Sequence, residues 1–149
     1  MRQPDRHGWN NSLCIGHNVI DGHHKGLFDF ANSLLDCDEA ALLQRDGEMV
    51  LCHLIEYTQL HFSFEESVML KVDYPLCAEH VVEHWQFINK LTDMTHQYEA
   101  GCNRILHTCS EHLVQWLTTH ISETIGNFLG ILQDNVFFIP ASRTKNFLY

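Results

Sequence analysis

The chain reads as an all-α protein, an antiparallel up-down-up-down four-helix bundle with an N-terminal arm. Three observations predict this. Apolar residues recur with the helical period in four long stretches, prolines are confined to Pro4, Pro75 and Pro140, and the stretches are joined by short connections. A 3.6-residue period argues for helices over strands. Proline-free interiors leave those helices unbroken. Short connections make sequential helices antiparallel neighbours.

The first stripe, Ile20, His24, Leu27, Phe28, Ala31, Leu34 and Leu35, predicts a helix closing near Asp36. The second helix covers about 47–70 on Leu51, Leu54, Tyr57, Leu60, His61, Phe64, Glu65 and Val68, and Val72-Asp73-Tyr74-Pro75 turns the chain. A third follows on Cys77, His80, Val81, His84, Phe87, Ile88 and Leu91, with a loop near Ala100 and Gly101. The fourth covers about 104–132 on Leu106, Cys109, Leu113, Trp116, Leu117, His120, Thr124 and Phe128. Residues 1–135 make one domain, with an arm over 1–20 and a bundle over about 21–132. The apolar-then-basic tail, 136–149, reads either as cover for the bundle or as a linker to a following output domain.

At 149 residues the chain has room for one domain with a real core. A formal net charge of −10 argues against nucleic acid and anionic membrane partners. Apolar runs fall far short of a membrane span, and no apolar segment follows the N-terminus, so a soluble, unexported, cytoplasmic chain is expected. The six cysteines show no C-x-x-C spacing and read as reduced thiols, mostly small core residues. Twelve histidines in so short a chain is the outlying number.

Five of those histidines, His24, His61, His80, His84 and His120, fall inside the apolar stripes together with Glu65. His61 to Glu65 and His80 to His84 are i,i+4 spacings, so each pair projects from one helix face. One buried neutral histidine needs only a hydrogen bond. Five with a carboxylate in one core call for a shared compensating charge. A metal cage supplies it, and histidine with carboxylate and open positions suits non-haem iron. His7, His17, His53, His96, His107 and His112 lie in the arm, off the stripes or near helix ends and read as solvated. The stripe selects His24 over His23. Glu66 and Glu83 are each turned about 100° from a neighbouring candidate ligand and read as surface or supporting groups. Two other sites compete. His80-Val81-Val82-Glu83-His84 matches the H-x-x-E-H string of zinc hydrolases, but leaves four candidates without a role. A ferritin-like site needs Glu-x-x-His, which the chain lacks.

These segments resemble the haemerythrin family, in particular its bacterial branch, over about residues 9–129. The resemblance rests on Trp9, D-x-x-H-K-x-L-F at 21–28, Y-x-x-x-H-F-x-x-E-E-x-x-M at 57–69, H-x-x-x-H at 80–84 and W-L-x-x-H-I at 116–121. It implies two iron ions with a bridging oxo or hydroxo group. His80, His84 and His120 would hold one iron, His24 and His61 the more open one where dioxygen binds, and Glu65 would bridge them. The family's second bridging carboxylate, an Asp five residues after the last histidine, is here Ile125. Glu123 lies two residues earlier, about 200° around an ideal helix, and would reach the centre only if the helix deformed. The resemblance therefore implies a six-ligand centre with an open coordination position, made one formal charge more positive. The function it points to is binding of dioxygen or small anions, without catalysis, in an oxygen- or redox-sensing domain. Reversible oxygen storage or carriage is the alternative. A peroxidase-like or nitric-oxide-reducing activity and a zinc hydrolase are weaker ones.

Overall fold

A computed structural model describes residues 7–38, 43–102 and 104–125, with 128 and 130; the side chains of Thr124 and Ile125 are outside the description, as is the tail 136–149. The elements are α1 (Asn18–Asp36), α2 (Gln44–Lys71), α3 (Cys77–Glu99) and α4 (Ile105–Thr119), which continues into a π-helix, His120–Ile125. Helix α2 packs most extensively on α3 and α1 on α4, while α1 with α2 and α3 with α4 close the ring. The result is the expected antiparallel four-helix bundle.

Helix ends follow local chemistry. His17 caps α1 through Nδ1, which accepts from the Ile20 N–H at 3.4 Å. Asp21 in its first turn complements the helix dipole and accepts the backbone N–H groups of Ile15 at 2.8 Å and Gly16 at 3.0 Å. The arm is thereby tied to α1, and Trp9 packs edge-on against Phe28. Helix α2 ends where Asp73 adopts a left-handed φ of 51° before Pro75, a conformation that Asp tolerates better than most residues. At the end of α3, Gly101 with φ of 80° donates to Tyr98, and Cys102 to Gln97. These are the paired bonds of a Schellman cap, which needs the left-handed residue.

The seven-residue stripe expected of the first helix is the buried set of α1. On α2 the expected face is turned by part of a step. Thr58, Phe62 and Met69 are core, Leu60 is 62% exposed, and Tyr57, Phe64 and Val68 are half-buried. Val81 on α3 is likewise exposed, whereas Met94, Thr95 and Tyr98 extend the core beyond Leu91. Both α2 and α3 face two neighbours in the ring, so their buried arcs are wider than one stripe and are centred by those neighbours. The cysteines also differ from expectation. None of the six is in a disulfide, but only Cys109 is buried and Cys14, Cys52 and Cys102 are exposed. Burial pushes the Cys109 thiol up to about 12. Among the described residues, no helix is long and apolar enough to cross a membrane.

Gly47, buried on α2, lies against the Tyr98 phenol so closely that any Cβ would overlap the ring. Gly22 in α1 has nothing near its missing Cβ. We expect Gly22→Ala to raise stability by about 0.5–1 kcal/mol through helix propensity. Gly47→Ala should lower it by about 1–3 kcal/mol, because overpacking against a buried ring outweighs that gain. Urea unfolding midpoints check both; shifts of the same sign would contradict the packing described.

Candidate metal centre

Antiparallel packing brings the start of α1, the later turns of α2, the start of α3 and the end of α4 to one level of the bundle. There His24, His61, His80, His84 and His120 surround Glu65, each no more than 3% exposed. Each directs Nε2 at the carboxylate, which divides them. Oε1 lies 3.2 Å from His24 and 3.4 Å from His61. Oε2 lies 3.2 Å from His80, 3.3 Å from His84 and 3.2 Å from His120. The donor atoms form two groups sharing Glu65, one with His24 and His61 and one with His80, His84 and His120. All six candidates taken from the sequence are thus brought together, and His23, beside His24, is not among them.

The buried hydroxyls elsewhere in the core are satisfied. Thr58 donates to Leu54, Thr95 to Leu91, and Ser110 on α4 to the Ala31 carbonyl on α1. The cluster's polar atoms are not all satisfied. Both ring nitrogens of His24 and His61, Nε2 of His84 and Oε1 of Glu65 are buried without an aligned hydrogen bond. Buried polar atoms left this way destabilise a fold by about 1–3 kcal/mol each. Imidazole lone pairs converging on a carboxylate are the donor set a transition metal takes. The residues present therefore fit a metal centre.

The electrostatics of His61 and His80 agree with ligand duty. Burial drives the His61 imidazole down to about 3, and burial lowers His80 as well. Both are neutral near pH 7, as ligands must be. Burial acts to raise the Glu65 carboxyl, but contacts from His120, His24, His80 and His84 override it and hold the carboxyl well below the ordinary range. His120 moves upward: burial opposes protonation, and Glu65 and Glu83 outweigh burial.

Outside the cluster, Glu66 and the rings of α2–α4 fix ring orientation. Glu66 Oε1 sits 2.8 Å from His84 Nδ1, so Nδ1–H donates outward and Nε2 keeps its lone pair for the centre. Glu83 Oε2 is 3.9 Å from His120 Nδ1. His84 stacks on Phe62 at 3.6 Å between ring centres and 3° between planes. His120 stacks on Trp116 at 4.3 Å, and Trp116 on Phe87 at 4.3 Å. Sequence reasoning marks Glu66 and Glu83 as surface or supporting groups, and the stacking of Phe62 and Trp116 on cluster imidazoles was not foreseen. The i,i+4 pairs Phe62 with Glu66 and Trp116 with His120 were available as signals.

Helix α4 does not stay regular to its end, contrary to the undistorted helix assumed for Glu123. The π-helix His120–Ile125 begins at the last candidate ligand. Its i→i+5 hydrogen bonding stacks residues five apart, bringing the backbone at 125 over that at 120. Glu123 remains exposed and lines a cavity of about 280 Å³ with Glu83, His112, Trp116 and the outer edge of His120. It is not part of either donor group. Of the histidines read as solvated, His53 and His96 are exposed, whereas His7, His17, His107 and His112 are half-buried. His112 stacks on Phe87 at 5.4 Å, and its pKa is lowered by burial and then by Lys90. The aromatic wall gives it apolar surface to cover, which helical period alone did not show. Glu83 meets His120 from the side away from the cluster, so it is misplaced to serve as general base for an H-x-x-E-H zinc site.

Comparison with known proteins agrees with this geometry. Residues 16–132 match the family model described as "Hemerythrin HHE cation binding domain". A bacteriohemerythrin of Stenotrophomonas maltophilia (strain R551-3) is 33% identical over 113 residues, covering 76% of this chain and 72% of that protein. A bacteriohemerythrin of Pseudomonas aeruginosa (strain LESB58) is 30% identical over 137 residues, covering 92% and 88%. The crystal structure of a wild-type hemerythrin superposes with a TM-score of 0.74 at 26% identity, covering 85% of this chain and 97% of that one. The chain belongs to the haemerythrin family.

Proposed function

We propose that the cluster holds two non-haem irons with a bridging oxo or hydroxo group, and that the protein binds dioxygen or a related small ligand. His80, His84 and His120 hold one iron, His24 and His61 the other, and Glu65 bridges them. The observation that carries this reading is the division of five Nε2 atoms between the two oxygens of one buried carboxylate. When bound there, a reduced iron pair would supply electrons and a coordination position for dioxygen. The chain's own residues orient the ligands and keep them away from bulk water. Burial keeps His61 and His80 neutral, and orientation comes from Glu66, Phe62 and Trp116.

Ile125 argues for sensing over carriage. The π-helix stacks position 125 over His120, where the family resemblance supplies a second bridging carboxylate, and isoleucine offers no ligand atom. An open position admits water, hydroxide or small anions to iron, which favours a centre that changes state readily. We infer a domain that reports oxygen or redox state to an output domain or partner, with the segment 136–149 as the connecting element.

Iron content tests the ligand set. The purified protein should carry two irons per chain. His84→Ala should lose iron and lower the thermal midpoint by at least about 5 °C, because a ligand bound only by the folded state stabilises it. His96→Ala, on an exposed site, should change neither. Equal effects, or one zinc and no iron, would contradict the assignment.

Ile125→Asp tests the open position. Azide should bind the oxidised parent and change its absorption, and the reduced parent should oxidise rapidly in air. The Asp variant should bind azide more weakly and oxidise at least about tenfold more slowly, a difference of about 1.4 kcal/mol in barrier. Glu123→Ala should match the parent. An Asp variant indistinguishable from the parent would refute the role given to residue 125.

A further inference from the structure

The two halves of the cluster are unequally built. The half around Oε2 offers four protein donors and the half around Oε1 three. Two imidazoles of the larger half are stacked face to face on rings, His84 on Phe62 and His120 on Trp116. His24 and His61 meet each other edge-on, at 80° between planes. Glu66 accepts from His84 Nδ1 at 2.8 Å and Glu83 Oε2 lies 3.9 Å from His120 Nδ1, while Nδ1 of His24, His61, His80 and His120 has no hydrogen-bond partner. Among the described residues, the one carboxylate bonded behind a cluster imidazole thus serves the larger half. A carboxylate behind a histidine fixes its tautomer and raises its basicity as a ligand. Rigid placement reduces the entropy lost on binding.

Electrostatics widens the difference. Glu65 is the one carboxylate that belongs to both donor groups. Two dications bridged by one protein carboxylate and a solvent-derived oxo or hydroxo group repel each other, and isoleucine at 125 contributes no second carboxylate to offset this. Once the better half is filled, the poorer half binds against that repulsion.

We propose that the two halves take metal in order, the His80–His84–His120 half first, and that the form with one metal bound there is a stable state of the protein. This rests on the two-metal reading of the cluster. Glu66 is the positioning residue that favours the first half, acting through His84. The His24–His61 half is the one emptied and refilled as metal supply changes.

The test equilibrates the anaerobically reduced full-length protein, as isolated with its iron, against graded concentrations of an iron(II) chelator. Iron per chain should fall from two to one, hold, and fall to zero only at chelator concentrations at least tenfold higher. His61→Ala and His24→Ala should each be isolated with one iron. Glu66→Ala should shift the second fall alone, to chelator concentrations about 10–100-fold lower, and Glu66→Gln should recover part of the loss because its amide oxygen still accepts from Nδ1–H. Helical circular dichroism identifies variants that have kept their fold. Both irons leaving the parent in one step would overturn the order and leave the two-metal centre standing. So would folded His61→Ala and His24→Ala proteins without iron. A parent isolated with no iron would instead remove the reading on which the order rests.

Discussion

The Glu65 carboxylate is the constraint on which the rest of the structure depends. It is wholly buried and faces five imidazoles from four helical segments. A lone carboxylate at such a depth would be expected to take up a proton, at a penalty of several kcal/mol if it stayed charged. Here the surrounding ring nitrogens hold it ionised. Each imidazole in turn directs its Nε2 at Glu65. The polar core is therefore self-consistent only when all four helices stand in one register, and its donor atoms are arranged so that they could hold a metal ion.

The bundle supplies that register by ordinary means. Apolar packing of α2 on α3 and α1 on α4 sets the helix faces, and Ser110 locks α4 to α1 through the Ala31 carbonyl. The turn at 72–75 and the Gly101 cap let the chain reverse so that the candidate ligands near opposite ends of successive helices meet at one level. Stacked rings of Phe62 and Trp116 and the Glu66 carboxylate then restrain His84 and His120 at fixed angles. The same packing that stabilises the fold thus aims the site. The asymmetry between a braced half and an unbraced half is a by-product of where the aromatic residues lie.

Much of this was legible in the sequence because buried histidines obey the helical period. His24, His61, His80, His84, His120 and Glu65 sat on apolar stripes, and the spacing from His61 to Glu65 fixed their common direction. Faces flanking the stripes were less legible. Leu60 and Val81 looked like core, but the neighbours of α2 and α3 turn those positions outward and bring Phe62 and Met69 inward. Hydropathy could not say that Glu66 would bond a ligand imidazole, since that depends on the distance between two helices. Nor did it show the π-helix after Thr119, since a one-residue widening leaves no mark in residue type. That widening matters most at position 125, where it changes which residues share a face with His120.

Anomalous diffraction at the iron edge, from crystals of the protein as isolated, tests the central claim most directly. The account predicts two iron peaks flanking the Glu65 carboxylate, one within bonding reach of His24 and His61 and the other of His80, His84 and His120, with no protein ligand from residue 125. A metal bound away from Glu65, or Glu123 bridging two irons, would contradict it.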